Sequence, residues 1–198
     1  MSALNFYQIF FIVFTVTTAL VRTPFSLAHK RAKRNQQIKL TRRPLTENLL
    51  AFLVGIGIIV LPFFNIFTDY LDRFNFIPPD WVRIVAVIGF VFSFIFYTWS
   101  HLDLGGQWSP VLETKSNHRL ITTGIYRHIR HPMYLGFFFW AVLVGLLLPN
   151  WLTLIASWLS FALLYFIRIP AEEEMMIDQF GEKYIEYMKA TGRIFPKI

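Results

Sequence analysis

The run from Pro132 to Arg168, PMYLGFFFWAVLVGLLLPNWLTLIASWLSFALLYFIR, decides the architecture. It holds two apolar blocks, Pro132–Leu148 and Trp151–Ile167, with no charged side chain in either. Pro149-Asn150 marks a turn between them, so the blocks form a tight antiparallel helical hairpin. Pro132 suits a first helical position. Each block is about 17 residues long, near the lower limit for crossing a hydrocarbon core. The hairpin gathers the polar groups that flank it, Arg130-His131 before and Arg168 after, at one end. Ionisable residues at membrane boundaries are costly to desolvate, which points to chemistry there rather than packing.

Three more apolar blocks precede the hairpin. They are Leu4–Val21, Leu45–Phe67 and Trp81–His101. Pro62 is expected to bend the second near its end. The third follows Pro78-Pro79-Asp80, a helix-start signal. The chain is 55% hydrophobic and 16% charged, whereas soluble domains carry about 25% charged residues. The fold class is therefore all-α: a polytopic membrane protein of about five transmembrane helices with a cytoplasmic C-terminal amphipathic helix. One domain over 1–198 is expected, with three spans in 1–101 and a loop, hairpin and tail helix in 102–198. The tail, Ala171–Lys189, reads as one helix. Met175, Met176, Phe180, Tyr184, Tyr187 and Met188 form its apolar stripe, and Glu172-Glu173-Glu174 sit in its first turn, where acids complement the helix dipole.

The net charge is +7, and its placement explains it without nucleic acid. Lys30, Arg31, Lys33, Arg34, Lys39, Arg42 and Arg43 share one loop with no acid. The next loop carries Asp69, Asp72, Arg73 and Asp80. The loop from Asp103 to Arg130 carries Lys115, Arg119, Arg127 and Arg130 against Asp103 and Glu113. That alternation follows the positive-inside rule. It puts the N-terminus outside and the basic loop, the 103–130 loop and the tail in the cytoplasm. The basic loop could also meet anionic headgroups, but topology alone accounts for it. The first block lacks a basic leader and a small-residue cleavage site, so it reads as a retained span.

With no cysteine, thiolate nucleophiles, disulfides and cysteine-ligated metals are excluded. The histidines His29, His101, His118, His128 and His131 show no HExxH-type spacing, and no metal site is expected. Gly55-Ile56-Gly57 lies inside an apolar block with no preceding strand, so it reads as close helix packing rather than a dinucleotide loop. Arg168 and Glu172 are four residues apart. A helix-surface ion pair at that spacing is worth a few tenths of a kcal/mol. Against that plain reading, Arg168 closes an apolar block and Pro170 interrupts the hydrogen-bond ladder. A kink and a new helix are expected there, with the acids and the arginine forming a site. Glutamates can accept hydrogen bonds from hydroxyl or ammonium groups. An arginine can hold a carboxylate at two points.

From His118 onward the sequence resembles the isoprenylcysteine carboxyl methyltransferase family, a group of integral-membrane methyltransferases related to phospholipid methyltransferases. The resemblance rests on His118-Arg-Leu-Ile-Thr-Thr-Gly124-Ile-Tyr126, Arg130-His131-Pro132-x-Tyr134-x-Gly136, Arg168 followed by Glu172-Glu173-Glu174, and Phe180-Gly181-Glu-x-Tyr184-x-x-Tyr187. It implies S-adenosyl-L-methionine as methyl donor. It implies cofactor contacts at His118, Arg119, Leu120, Ile121, Tyr126, His131, Pro132, Met133, Tyr134, Glu172 and Glu173. It implies that Arg168 holds the carboxylate of a prenylated or other lipid-linked acceptor. Where eukaryotic members carry an Asn-Phe-x-His element, this chain has Gln107-Trp108-Ser109-Pro110, which suits a prokaryotic relative with a different acceptor. Rival readings are a phospholipid N-methyltransferase on the same scaffold, a non-enzymatic membrane protein and a nicotinamide-dependent reductase. Few charges lie in mid-span, which disfavours a transport path. No evident base serves an amine acceptor, which favours O-methylation, because a carboxylate is already ionised near neutral pH.

Overall fold

The computed structural model describes residues 4–35, 38–41, 44–115 and 119–197. Helix α1 (Phe6–Arg34) opens on a capping box, in which Asn5 and Gln8 each bind the other's backbone N–H through their side chains. Strand β1 (Ile38–Thr41) follows, then α2 (Pro44–Gly55), a π-turn over Ile56–Val60 and α3 (Leu61–Phe67). Helix α4 (Asp80–Leu104) starts after Pro79, as its sequence signal requires. After it come β2 (Glu113–Lys115), α5 (Pro132–Leu147) and α6 (Trp151–Leu163). A second π-turn over Leu164–Arg168 leads into α7 (Ile169–Phe180), and α8 (Glu182–Ala190) follows.

Among the described residues, four helical stretches are long and apolar enough to cross a membrane: Phe6–Arg34, Thr46–Phe67, Asp80–Gln107 and Trp151–Phe180. The remaining expected crossing is the shorter α5. At 1.5 Å per residue its 16 residues reach about 24 Å, less than a core of about 30 Å. Its partner, the 30-residue stretch Trp151–Phe180, reaches about 45 Å. The α6–α7 rod therefore runs well past the first turn of α5. Polar loops and the tail fill the step that this leaves.

The all-α polytopic architecture holds, with departures in detail. The helix of the first span runs on to Arg34, so Lys30, Arg31, Lys33 and Arg34 ride on its last turns rather than in a loop. Cations at a helix C-terminus meet the negative end of its dipole. A small antiparallel ladder, β1 on β2, ties the α1–α2 connection to the loop after α4. Pro170 does not start a new helix, because Trp151–Phe180 is continuous. The glutamates therefore have no free helix N-terminus to complement. The single tail helix is instead broken at Gly181, whose φ of +59° suits glycine and few other residues.

Of the prolines inside spans, Pro24 lies within α1, whereas Pro62 and Pro170 each sit two residues beyond a π-turn. The Leu61 N–H donates to Ile56 and the Ile169 N–H to Leu164, each five residues back. Pro62 and Pro170 follow, and both lack the N–H and crowd the carbonyl four residues behind. The widened turn absorbs this without breaking the rod.

At the hairpin turn Asn150 is fully buried and saturated. Its Nδ2 donates to Asn75 Oδ1 at 2.8 Å and the Leu71 carbonyl at 2.9 Å. Its Oδ1 accepts from the Thr153 N–H as the cap of α6. Gly57 permits close packing of its π-turn on α6. A Cβ there would lie 1.9 Å from Ser160 Oγ and 2.6 Å from the Ala156 carbonyl, whereas a Cβ at Gly55 meets nothing within 4 Å. Gly57→Val should therefore cost about 1–3 kcal/mol through overpacking. Thermal unfolding in detergent should show a lowered midpoint for Gly57→Val and none for Gly55→Ala.

Candidate active site

A cavity of about 390 Å³ opens at the wet end of the hairpin, where α5 begins. Its deep wall is apolar, with Val54, Ile58, Phe137, Trp140 and Leu164. Its opposite wall is polar, with Gln107, Arg119, Arg130, His131 and Glu172. Both π-turns contribute to the lining, Ile58 and Ile59 from one, Leu164 and Arg168 from the other.

Arg168 sits where the two walls meet. The antiparallel hairpin returns the chain to the level of α5's first turn, and Arg168 Nε donates to the Tyr134 hydroxyl at 2.8 Å. The Tyr134 hydroxyl in turn donates to Glu172 Oε2 at 2.9 Å. Arg168 and Glu172 are thus linked through a phenol rather than paired directly on a helix face. The direct ion-pair partner of Arg168 is Glu47 at the start of α2, and its Nη2 donates to the Pro110 carbonyl at 2.9 Å. The Arg168 side chain is 13% exposed and that of Glu47 4%. A guanidinium so withdrawn from water requires this set of acceptors.

Of the residues expected to hold a cofactor, Arg119, Leu120, Ile121, Tyr126, His131, Met133, Tyr134 and Glu172 line this cavity together with Arg168. His118 lies outside the described residues. Pro132 does not line the cavity. It is buried at the first turn of α5, where it shapes the backbone. Glu173 does not line it either. One residue further round α7, it is buried and gathers two guanidinium groups and an imidazole: Arg130 Nε at 3.0 Å, Arg193 Nη2 at 2.5 Å and His131 Nε2 at 3.3 Å.

That cluster holds the site together. The backbone N–H groups of Arg130 and His131 donate to the Gly192 and Arg193 carbonyls, both at 2.9 Å. Arg130 Nη1 donates to the Thr191 carbonyl and to the Met188 carbonyl. The tail therefore clasps the segment before α5, and α8 roofs the cavity. Tyr187 donates from its hydroxyl to the Tyr126 carbonyl at 2.5 Å. Burial raises the Tyr126, Tyr184 and Tyr187 phenols above their ordinary range, so they remain neutral at physiological pH. The hydrogen bond to Glu173 raises Arg193 in the same direction. Over the opposite wall, Arg22 lies 5.3 Å from the Trp108 ring centroid.

Residues 84–178 match the model of the isoprenylcysteine carboxyl methyltransferase (ICMT) family. The family resemblance read from the sequence therefore stands. The match takes in α4 from Ile84, the cavity loop, the hairpin with Arg168, and α7 as far as Asp178, and leaves Glu47 and α8 outside. The chain is 33% identical over 124 residues to the protein-S-isoprenylcysteine O-methyltransferase of Xenopus laevis, covering 60% of this chain and 42% of that one. It is 41% identical over 96 residues to the enzyme of the same name from Saccharomyces cerevisiae, covering 48% and 40%. A solved structure of the eukaryotic intramembrane Ras methyltransferase ICMT matches at a TM-score of 0.55 and 24% identity, over 80% of this chain and 55% of that one. That likeness is one of fold. The chain spans about two fifths of the length of these two curated relatives.

Sequence reading found Arg168, Tyr134 and Glu172 within the ICMT-like segment but missed Glu47 outside it. A signal existed, since Glu47 is the sole acid in the first 68 residues. It also passed over Arg193, which pairs with Glu173. Glu173→Gln should leave cations short of a buried acceptor and cost about 3 kcal/mol or more. Glu172→Gln, whose amide oxygen can still accept from Tyr134, should cost about 1 kcal/mol or less. Denaturation of the two variants in detergent should rank them in that order, and equal losses would contradict the assignment of Glu173 to structure.

Proposed function

We propose that the chain transfers a methyl group from S-adenosyl-L-methionine to the carboxylate of an isoprenylated cysteine or a similar lipid-linked acid, giving a methyl ester at the cytoplasmic face of the membrane. One observation carries the reading. Arg168, a half-buried two-point donor, lines one cavity together with apolar side chains able to take a lipid tail and polar ones able to take a charged cofactor. The names of the relatives support a carboxyl acceptor.

The residues present suit the cofactor. Glu172 keeps acceptor capacity toward the cavity beside the bond it takes from Tyr134, enough for a ribose hydroxyl or an ammonium. Leu120, Ile121, Tyr126 and Met176 supply a surface for a flat base. His131 and Tyr134 line the same cavity, and Tyr134 bonds to Arg168. When bound, the cofactor supplies an electrophilic methyl on a sulfonium.

The protein's own part is positional. An ionised carboxylate needs no general base, so the chain has to bind, align and keep the site dry. Arg168 holds the acceptor's carboxylate without protonating it. Glu47 and Tyr134 fix the guanidinium in one orientation and balance its charge when no acceptor is present. The loop carrying Trp108 and Pro110, with α8, shields the cavity from water.

Purified protein supplied with methyl-labelled cofactor and a farnesylated cysteine acid should yield label that mild alkali releases as methanol. Alkali-stable label would indicate N-methylation instead. Arg168→Ala should lower turnover about a hundredfold or more while cofactor affinity, read by calorimetry, stays close to wild type. Glu172→Ala should weaken cofactor binding about tenfold. Parallel loss of both properties in Arg168→Ala would remove it from acceptor binding.

A further inference from the structure

The opposite end of the bundle carries a second cavity, of about 270 Å³, whose walls are polar. It is enclosed by the first turns of α1 and α4, the end of α3 with the loop after it, and the α5–α6 turn. The active-site cavity uses the other ends of these helices, with Arg22, Tyr97 and His131. Most polar groups of the second cavity already have structural tasks. Gln8 completes the cap of α1, while Asn65 and Asn75 accept from Asn150.

Arg83 has no such task. It is half-buried, and its guanidinium lies 5.0 Å from the Tyr7 ring centroid. Its Nε is buried without a hydrogen-bond partner, and among the described residues no ion pair reaches it. Asp69 and Asp72 line the same cavity yet do not neutralise it. Leaving a desolvated cationic donor unsatisfied is costly, so an acceptor from outside the chain is indicated. Tyr70, Trp81 and Trp151 are exposed around this end, the arrangement found at the headgroup level of a bilayer. Phe6, Ile9 and Phe67 are exposed beside them and offer a surface for acyl chains.

We propose that this cavity binds the headgroup of an aminophospholipid, with the phosphodiester on Arg83 and the primary ammonium facing Asp69 and Asp72. The planar guanidinium fork matches two phosphate oxygens. The two carboxylates repel a purely anionic headgroup and favour one that ends in a cation. The lipid here is a ligand and not a methyl acceptor, because the site lies at the far end of the bundle from Arg168. The assignment is therefore independent of the methyl-transfer reading.

Native mass spectrometry of the full chain in detergent tests it, with short-chain phosphatidylethanolamine, phosphatidylcholine, phosphatidylglycerol and inorganic phosphate as separate probes. Phosphatidylethanolamine should bind in preference to the other two lipids. Arg83→Gln should weaken that binding about tenfold or more. Asp69→Asn, an exposed change that leaves the helices intact, should abolish the preference over phosphatidylcholine. Wild-type binding by Arg83→Gln, or equal binding of phosphatidylglycerol, would overturn the proposal. Displacement of the lipid by inorganic phosphate at like concentration would overturn it in favour of a free-anion site.

Discussion

A guanidinium held among apolar helices must be given acceptors or it will not stay there. In water Arg168 would need none, but beside Leu164 and Trp140 the desolvation penalty runs to several kcal/mol. The surrounding structure supplies what water would have supplied. Glu47 comes from α2, the Tyr134 hydroxyl from α5 and the Pro110 carbonyl from the loop after α4. Three separate parts of the chain are thereby drawn to one atom group. The same three groups fix the guanidinium plane, which is the property an acceptor-binding arginine needs.

The two π-turns make this possible. A π-turn inserts one residue and rotates all that follows by about 100° relative to a regular helix. The one at Leu164–Arg168 turns the row Arg168, Glu172 and Met176 toward the cavity. It also sends Glu173 to the buried side with Ile169. Each π-turn accommodates a proline that a regular helix would have kinked around. Pro170 therefore marks a re-aimed face, not the break that its identity suggests.

This explains which features were legible in the sequence. The hairpin was plain from two apolar blocks and a Pro-Asn turn, and its antiparallel sense put Arg168 level with Tyr134. Local reading could not say which glutamate faces the cavity, because the π-turn shifts the helical phase upstream of both. The spacing of Glu173, four residues from both Ile169 and Ile177, places it on an apolar row and was the available clue. Glu47 lies 121 residues from its partner, and no periodicity spans that distance. The β1–β2 ladder likewise joins distant segments, and its short strands carry no alternating pattern long enough to detect. Gly181 was visible, but a lone glycine in an amphipathic tail does not declare the sign of its φ.

The shortness of α5 connects these features to chemistry. A helix of about 24 Å beside one of about 45 Å leaves a recess at the level where the hydrocarbon gives way to headgroups. A full-length α5 would have filled that recess with side chains and put its polar first turn in bulk water, where charges are weak and the site wet. A shorter one would have buried His131 and Arg130 too deep for Glu173 and the tail carbonyls to reach. At 16 residues the first turn stops where loop and tail can still roof it. On the proposed reading, the charged donor then enters from the wet side and the acyl or prenyl chain from the bilayer, and neither has to cross the other's medium. The ends of the two molecules meet at Arg168, where the dielectric is low enough for a single guanidinium to hold a carboxylate in line.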